Sequence, residues 1–365
     1  MSGAGLVATF VLPKGRSLFQ RLPSLVVRLV HWAFVQASRL CPKFHQKEAL
    51  LSAVGPVALV VQLGVFLALF LVGFALAIWP WSQSFGLAVR ESAAGLFTVG
   101  LAHVNGPTND VLVVLAAASG AITVALQIGY LPIIYQSYAR REALVALMES
   151  RAGVPSWGPE VLMRHQLIAS VDALGGFYKD WELWSAELAE SHGTHPVLIL
   201  FRSALPGHFW LLSLLAVLDA AAMQLALNPT DAPKEARFCL RMGFSALRRL
   251  ALTQGWKVER DPSPDGPIDV DLETFATAVR ELERIGFVTE RDAEEAYAHF
   301  RGWRVNYEST VYRFADFLLA PHAPWSGARH HLPADIVPPE RPPHRSPGGG
   351  SLEESTFRRR VAGAP

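Results

Sequence analysis

The sequence predicts an all-α membrane protein: two membrane-crossing helices joined by a loop that turns back into the lipid, then a soluble helical bundle. Three observations predict it. Charged residues make up 18% of the 365, well below the ~25% of an average soluble domain. The charge is also segregated. Residues 1–50 hold seven basic side chains against Glu48, residues 51–137 hold only Arg90, Glu91 and Asp110, and the remainder carries a net of −4 beneath a formal total of +1. From Tyr138 onward, finally, the apolar pattern is helical. Such segregation excludes a simple soluble globule and a polyanion-binding chain, so no nucleic-acid partner is expected. Cys41 and Cys239 are too few for a disulfide framework.

Residues 1–50 form a basic cytoplasmic segment. Residues 1–13 lack the basic n-region of a signal peptide. Leu22–Cys41 reads as an amphipathic helix with Pro23 at its first position. Arg28, His31, Gln36, Ser38 and Arg39 share one arc, while Val26, Leu29, Val30, Trp32, Ala33 and Phe34 fall mostly elsewhere. Such a helix either lies in the inner leaflet surface or docks on the cytoplasmic body.

Residues 51–137 form the membrane domain. Ala53 to Trp79 carries no charge and one strongly polar side chain, Gln62. At 1.5 Å per residue a helix of that length reaches ~40 Å, enough to cross a ~30 Å hydrocarbon core with tilt. Val111 to Ile133 is a second such stretch, bounded by Asp110 and by Arg140 and Arg141. Basic residues flank the outer ends of the pair, from Lys14 to Lys47 and at Arg140 and Arg141. The positive-inside tendency therefore puts both termini in the cytoplasm of a multi-pass plasma-membrane (inner-membrane) protein and residues 81–110 outside.

The connection between the spans is too long and too apolar for an ordinary helix–helix link. Ser84–Phe97 has the length of a short helix, and Thr98-Val99-Gly100-Leu101-Ala102 and then His103–Pro107 follow it directly. Irregular backbone at membrane depth survives only where protein or a water-filled cavity satisfies its polar groups. A cation shedding its water needs such groups: rows of carbonyl oxygens, with the Thr98 hydroxyl added and Gly100 free to adopt φ > 0. On the second span Ser119, Thr123 and Gln127 recur on one face, which either lines a cavity below the loop or hydrogen-bonds across a helix contact. Gly120 lies beside that stripe as a hinge or a close-packing point, and Pro132 should kink the inner end.

This arrangement resembles the two-transmembrane potassium-channel pore of outer helix, pore helix, filter and inner helix, whose filter reads T-V-G-Y-G. Across residues 30–327 the chain is also similar to bacterial relatives of the two-pore-domain potassium channels, in IGYLPIIYQSYARRE (128–142), ESHGTHPVLILFRS (190–203) and GWRVNYE (302–308). The resemblance implies two transmembrane helices with a re-entrant pore helix and a filter at Thr98, Val99, Gly100, Leu101 and Ala102. It also implies pore-lining or gating positions Ser119, Gly120, Thr123, Gln127 and Pro132, assembly as a homotetramer in the lipid bilayer, and K+ as the permeant ion with no other cofactor. Leu101 stands where the family has its aromatic residue, Ala102 where it has its second glycine, and His103 where many members have Asp. These departures motivate an alternative: a non-conducting, membrane-anchored interaction protein with a degenerate pore loop.

Residues 138–327 read as a cytoplasmic helical domain acting as a regulatory body for an unknown cytoplasmic regulator. Arg140–Arg151 continues the second span, and Pro159–Leu174 and Phe177–Glu190 are helices parted by Gly175-Gly176. Asp231–Leu252 and Asp271–Ile285 flank a loop at Asp261–Pro267. Thr289 with Asp292 opens a long helix to about Leu319. His208–Leu227 is long enough to span, but Asp219 at its centre would cost ~3 kcal/mol to insert. A buried helix with Asp219 paired to Arg202 or Arg241 is therefore expected. Neither a G-x-G-x-x-G nor a jelly-roll strand pattern is present. Glu187, Glu190, His192 and His195 have zinc-binding chemistry, but not H-E-x-x-H spacing. No metal site or enzyme activity is expected. Residues 328–365, rich in Pro, Gly and Arg, read as a disordered tail.

Overall fold

The computed structural model describes residues 18–100, 107–205 and 207–327, and every regular element among them is a helix. The tail expected over residues 328–365, and Leu101 and Ala102 of the expected filter, lie outside the described residues. The chain separates into two compact units. One comprises the described residues up to Tyr138 with Val197–Phe201, the other Ala139–Pro196 with the described residues from Arg202. The return of Val197–Phe201 to the first unit has no counterpart in the sequence-based boundary at 137/138.

In the first unit, α1 (Leu18–Ser38) starts earlier than expected and holds Pro23 in its interior. Val26 and Val30 of α1 are buried in an apolar cluster with Ala58, Leu59, Tyr130, Ile134, Val197 and Leu198. Leu25, Leu29 and Trp32, at i, i+4 and i+7, stay exposed. The helix therefore docks through one side and keeps a second apolar side uncovered. After α2 (Phe44–Ser52), α3 (Val54–Ile78) carries the uncharged stretch and ends in a 3₁₀ turn at Trp79–Trp81. Trp79 and Trp81 are half exposed, and the Trp79 ring meets Phe85 edge-on at 5.2 Å. Amphipathic aromatics of this kind suit a membrane–water boundary. α4 (Phe85–Leu96) follows, then α5 (Pro107–Ala152), which passes through Pro132 without ending.

The second unit is built around α8 (Trp210–Leu227), all of whose residues are buried. Around it pack α6 (Gly158–Leu167), α7 (Leu174–Thr194), α9 (Lys234–Thr253), α11 (Ala293–Arg304) and α12 (Glu308–Phe317), with α10 (Leu272–Arg284) against α6 and α11. These neighbours are amphipathic. α9 turns Ala236, Cys239, Leu240, Leu247 and Leu250 inward and leaves Arg237, Arg241 and Arg249 exposed. An apolar helix sheathed in this way is the core helix of the second unit.

Asp219 is buried on α8 but not beside Arg202 or Arg241. Its Oδ2 lies 2.5 Å from Nη1 of Arg304, and its Oδ1 accepts from the Tyr307 hydroxyl at 2.7 Å. Arg202 instead donates to the carbonyls of Leu318 and Leu319, and Arg241 lies on the outer side of α9. Arg304 also donates to Glu308 at 2.6 Å, so two carboxylates share one guanidinium. Burial pushes the Asp219 carboxyl up to about 6 against the opposing pull of Arg304 and Tyr307.

Three boundaries differ from expectation. The break after α6 falls at Ile168–Ala173, where Ala169 takes φ 51°, while Gly175 and Gly176 lie inside the first turn of α7. The cap of α11 is Asp292, whose Oδ1 accepts from Glu295 N at 2.9 Å, rather than Thr289. The long helix to Leu319 is two helices, α11 and α12, parted at Val305–Tyr307. That turn lets Arg304 and Tyr307 both reach Asp219.

Candidate pore loop

Among the described residues, three helices are long and apolar enough to cross a membrane: Phe44–Trp81, Pro107–Ala152 and Trp210–Leu227. Only 28% and 17% of the apolar windows of the first two are buried, against all of the third. The first two therefore leave far more apolar surface uncovered by protein than the third, as a helix facing lipid would. α4 and the residues after it lie between these two helices in the chain.

α4 begins at Ser84, whose Oγ accepts from Leu87 N at 3.3 Å and so caps an otherwise orphaned donor. Glu91, one acid of this nearly uncharged region, is buried in the middle of α4. Its Oε2 accepts from Ser82 Oγ at 2.7 Å and from Asn109 Nδ2 at 3.2 Å. Ser82 precedes α4 and Asn109 lies in the first turn of α5, so one carboxylate ties both flanks of the loop together. Ser92 Oγ donates to Leu71 O at 2.9 Å and fastens α4 to α3. The sequence-based reading gave Glu91 no role. Its isolation in an apolar segment was the available signal, since an ionisable group there is a functional position by default.

Small residues let α4 and α5 approach. A Cβ on Gly95 would lie 2.9 Å from the Val113 carbonyl oxygen, and one on Gly120 would collide with the Leu96 carbonyl. Gly120 is therefore a close-packing point. Phe66 and Phe70 of α3 complete the contact around Leu96. Thr123 is 1% exposed, with Oγ1 bonded to Ser119 O at 2.7 Å, and Gln127 is 7% exposed. Ser119 is half-buried and Pro132 exposed. Thr123 and Gln127 thus point into the first unit's own packing. The opposite side of α5 exposes Ala118, Ala121, Ala125 and Gly129.

After Leu96 the chain stops being helical through paired bonds: Thr98 N to Gly95 O at 2.9 Å and Val99 N to Ala94 O at 3.0 Å. This is the Schellman pattern, with Thr98 at φ 54° where glycine is usual. Gly100 takes φ 72°, as its residue type allows. Phe97, Thr98, Val99 and Gly100 are exposed. Among the described residues, the carbonyls of Thr98, Val99 and Gly100 accept no backbone hydrogen bond. They are peptide oxygens at the C-terminal, partially negative end of α4.

The 187–195 region has a different use. His192 is fully buried, with Nε2 3.1 Å from Arg141 Nη1 and Nδ1 2.9 Å from Ser191 Oγ, and Glu190 pairs with Arg249 at 2.7 Å. Burial first, then the charges of Arg141 and His195, holds the His192 imidazole well below its ordinary pKa. Among the described residues no three His, Cys, Asp or Glu side chains gather as a metal site. No protein-family model, curated protein or solved structure matches the chain.

Proposed function

We propose that the chain is the subunit of a tetrameric, potassium-channel-like ion channel in the plasma membrane. It passes a monovalent cation, K+, through a filter that begins at Thr98, Val99 and Gly100, and residues 138–327 form its cytoplasmic regulatory body. The observation that carries this reading is the run of exposed residues Thr98–Gly100, whose carbonyls accept no backbone hydrogen bond among the described residues, at the end of a short helix between two span-length helices. Unpartnered peptide oxygens in lipid cost several kcal/mol each. A dehydrated cation ringed by the same oxygens from several chains removes that cost and supplies the ion's ligands. One chain encloses nothing, so the reading requires copies around an axis. With Thr123 and Gln127 packed inward, the pore wall below the filter falls to the opposite side of α5, at Ala118, Ala121, Ala125, Gly129 and Pro132. The basic flanks of the spans support cytoplasmic termini.

A second reading, a membrane-anchored interaction protein with a closed-off loop, is favoured by one feature. The Schellman closure accounts for the positive φ of Thr98 without any ion.

Potassium efflux from liposomes containing the purified full chain separates the two. The channel reading expects efflux that drops at least ~10-fold in Gly100→Asp, which forces a side chain onto a positive-φ position of the carbonyl row, and falls in Thr98→Ala, which removes the hydroxyl that adds to it. No efflux from the unmodified protein at matched incorporation favours the second reading.

A further inference from the structure

The second unit carries an open cleft of 590 Å³ that plays no part in the pore reading and stands or falls independently of it. Its volume is in the range of small-molecule sites. Two helix faces and one loop meet there. α9 contributes Arg241, Phe244, Ser245 and Arg248, at i, i+3, i+4 and i+7, the face opposite the one buried on α8. α11 and the turn after it contribute Ala298, His299, Gly302, Trp303 and Asn306, and the 260–264 loop adds Arg260, Asp261 and Pro264.

The charge of this cleft runs against that of its surroundings. Residues 138–327 hold 19 basic and 25 acidic side chains, a net of −6, yet the cleft is lined by three arginines and one aspartate. Nearby arginines outside it are neutralised: Arg249 by Glu190 at 2.7 Å and Arg301 by Asp265 at 2.8 Å. Among the described residues no carboxylate lies within ion-pair distance of Arg241, Arg248 or Arg260. Arg248 is held in place from within the cleft, with Nη2 donating to the Arg260 carbonyl at 2.7 Å and its guanidinium over the Phe244 ring at 5.7 Å. That bond ties the loop to α9 and leaves most of the guanidinium's donors unused.

The other wall is of a different kind. Ala298 and Gly302, one turn apart on α11, keep the floor low beside the Trp303 indole. Asn306 spends its amide N–H groups on the carbonyls of Gly302 and Trp303, which leaves its Oδ1 as an acceptor. Asp261 and Ser245 add a carboxylate acceptor and a hydroxyl. A ligand complementary to both walls is an anion at one end and a planar, hydrogen-bonding ring at the other. We propose that this cleft binds a nucleoside phosphate. The phosphate meets Arg241, Arg248 and Arg260, where fork-shaped donors match its oxygens, and the base lies against Trp303 with Asn306 and Asp261 as hydrogen-bond partners.

Titration calorimetry on the full chain in detergent tests this, with AMP, ATP, GTP, adenosine and inorganic phosphate as probes. At least one nucleotide is expected to bind saturably, and adenosine and phosphate at least ~10-fold more weakly, since each engages only one wall. Arg241→Ala and Arg260→Ala each lose a charge-assisted contact and should weaken that nucleotide ~10-fold. Both side chains are exposed, so unchanged melting temperatures will show that the fold persists. Trp303→Ala should weaken nucleotide but not phosphate. Lys234→Ala, at the far end of α9, should leave binding unchanged. Absence of saturable binding by all three nucleotides overturns the proposal, as does phosphate binding as tightly as the best nucleotide or equal binding by the arginine variants. The readout is binding rather than current, so a silent pore leaves it unaffected.

Discussion

α3 and α8 are both apolar enough to cross a membrane, yet their surroundings are opposite. About a quarter of the α3 window is buried by protein, whereas α8 is buried on every side. The difference lies in the neighbours. α8 is sheathed by helices such as α9, which turns Arg237, Arg241 and Arg249 outward and alanine and leucine inward, and α11, which turns in Ala296 and Phe300 together with the Arg304 that meets Asp219. α3 meets α1 and α4 and leaves Val60, Val72 and Leu76 bare. An apolar run alone does not separate a core helix from a lipid-facing one. A central charge with a partner 85 residues away in sequence does, because Asp219 has Arg304.

The strongest way to break this contrast is to remove Arg304. Arg304→Ala leaves Asp219 and Glu308 buried without their shared cation and should destabilise the second unit by ~3–5 kcal/mol. Thermal unfolding of the detergent-purified chain checks it, and an unchanged transition would mean that α8 lies in lipid or water rather than in a protein core. The next effect is a matched pair of truncations. Leu214→Ala, at a fully buried position of α8, should cost ~2–5 kcal/mol. Leu76→Ala, at a position of α3 that is 52% exposed, should cost well under half of that if its exposed side faces lipid. Equal costs would erase the distinction.

The smallest effect is pH-dependent. His192 has a folded-state pKa held well below the ordinary 6.5, so the unfolded chain binds more protons than the native one below that value. The stability it contributes is present above about pH 6.5 and is lost as pH falls toward its folded pKa. Melting curves between about pH 8 and about pH 5.5 should show that loss, reduced in His192→Gln.

Much of this architecture was legible because it rests on composition. An uncharged stretch from Ala53 to Trp79 has few fates, and Ser84 before an apolar segment announces a helix start. What stayed illegible depended on partners distant in sequence. Arg304 was hidden because nothing local links it to Asp219. The chain breaks at Val305–Tyr307, with no Gly or Pro to mark the turn, so that both Arg304 and Tyr307 can reach one carboxylate. Gly175 and Gly176 looked like a breaker, but the break was made a few residues earlier, where Ala169 takes a positive φ. On α5 the polar stripe of Ser119, Thr123 and Gln127 had two meanings at equal spacing. Only the packing against Leu96 and its neighbours shows that Thr123 and Gln127 point inward. In the loop the residue types of Thr98 and Gly100 were informative, while the tether made by Glu91 needed the fold to bring Ser82 and Asn109 together.

The central claim is that the carbonyl row after α4 is completed by other copies of the same chain. The mass of the protein–detergent complex, measured by light scattering with the detergent contribution subtracted, tests it most directly. The account predicts a protein mass of four times the 39.9 kDa of one chain. A stable monomer or dimer that persists across mild detergents and in lipid nanodiscs would contradict it.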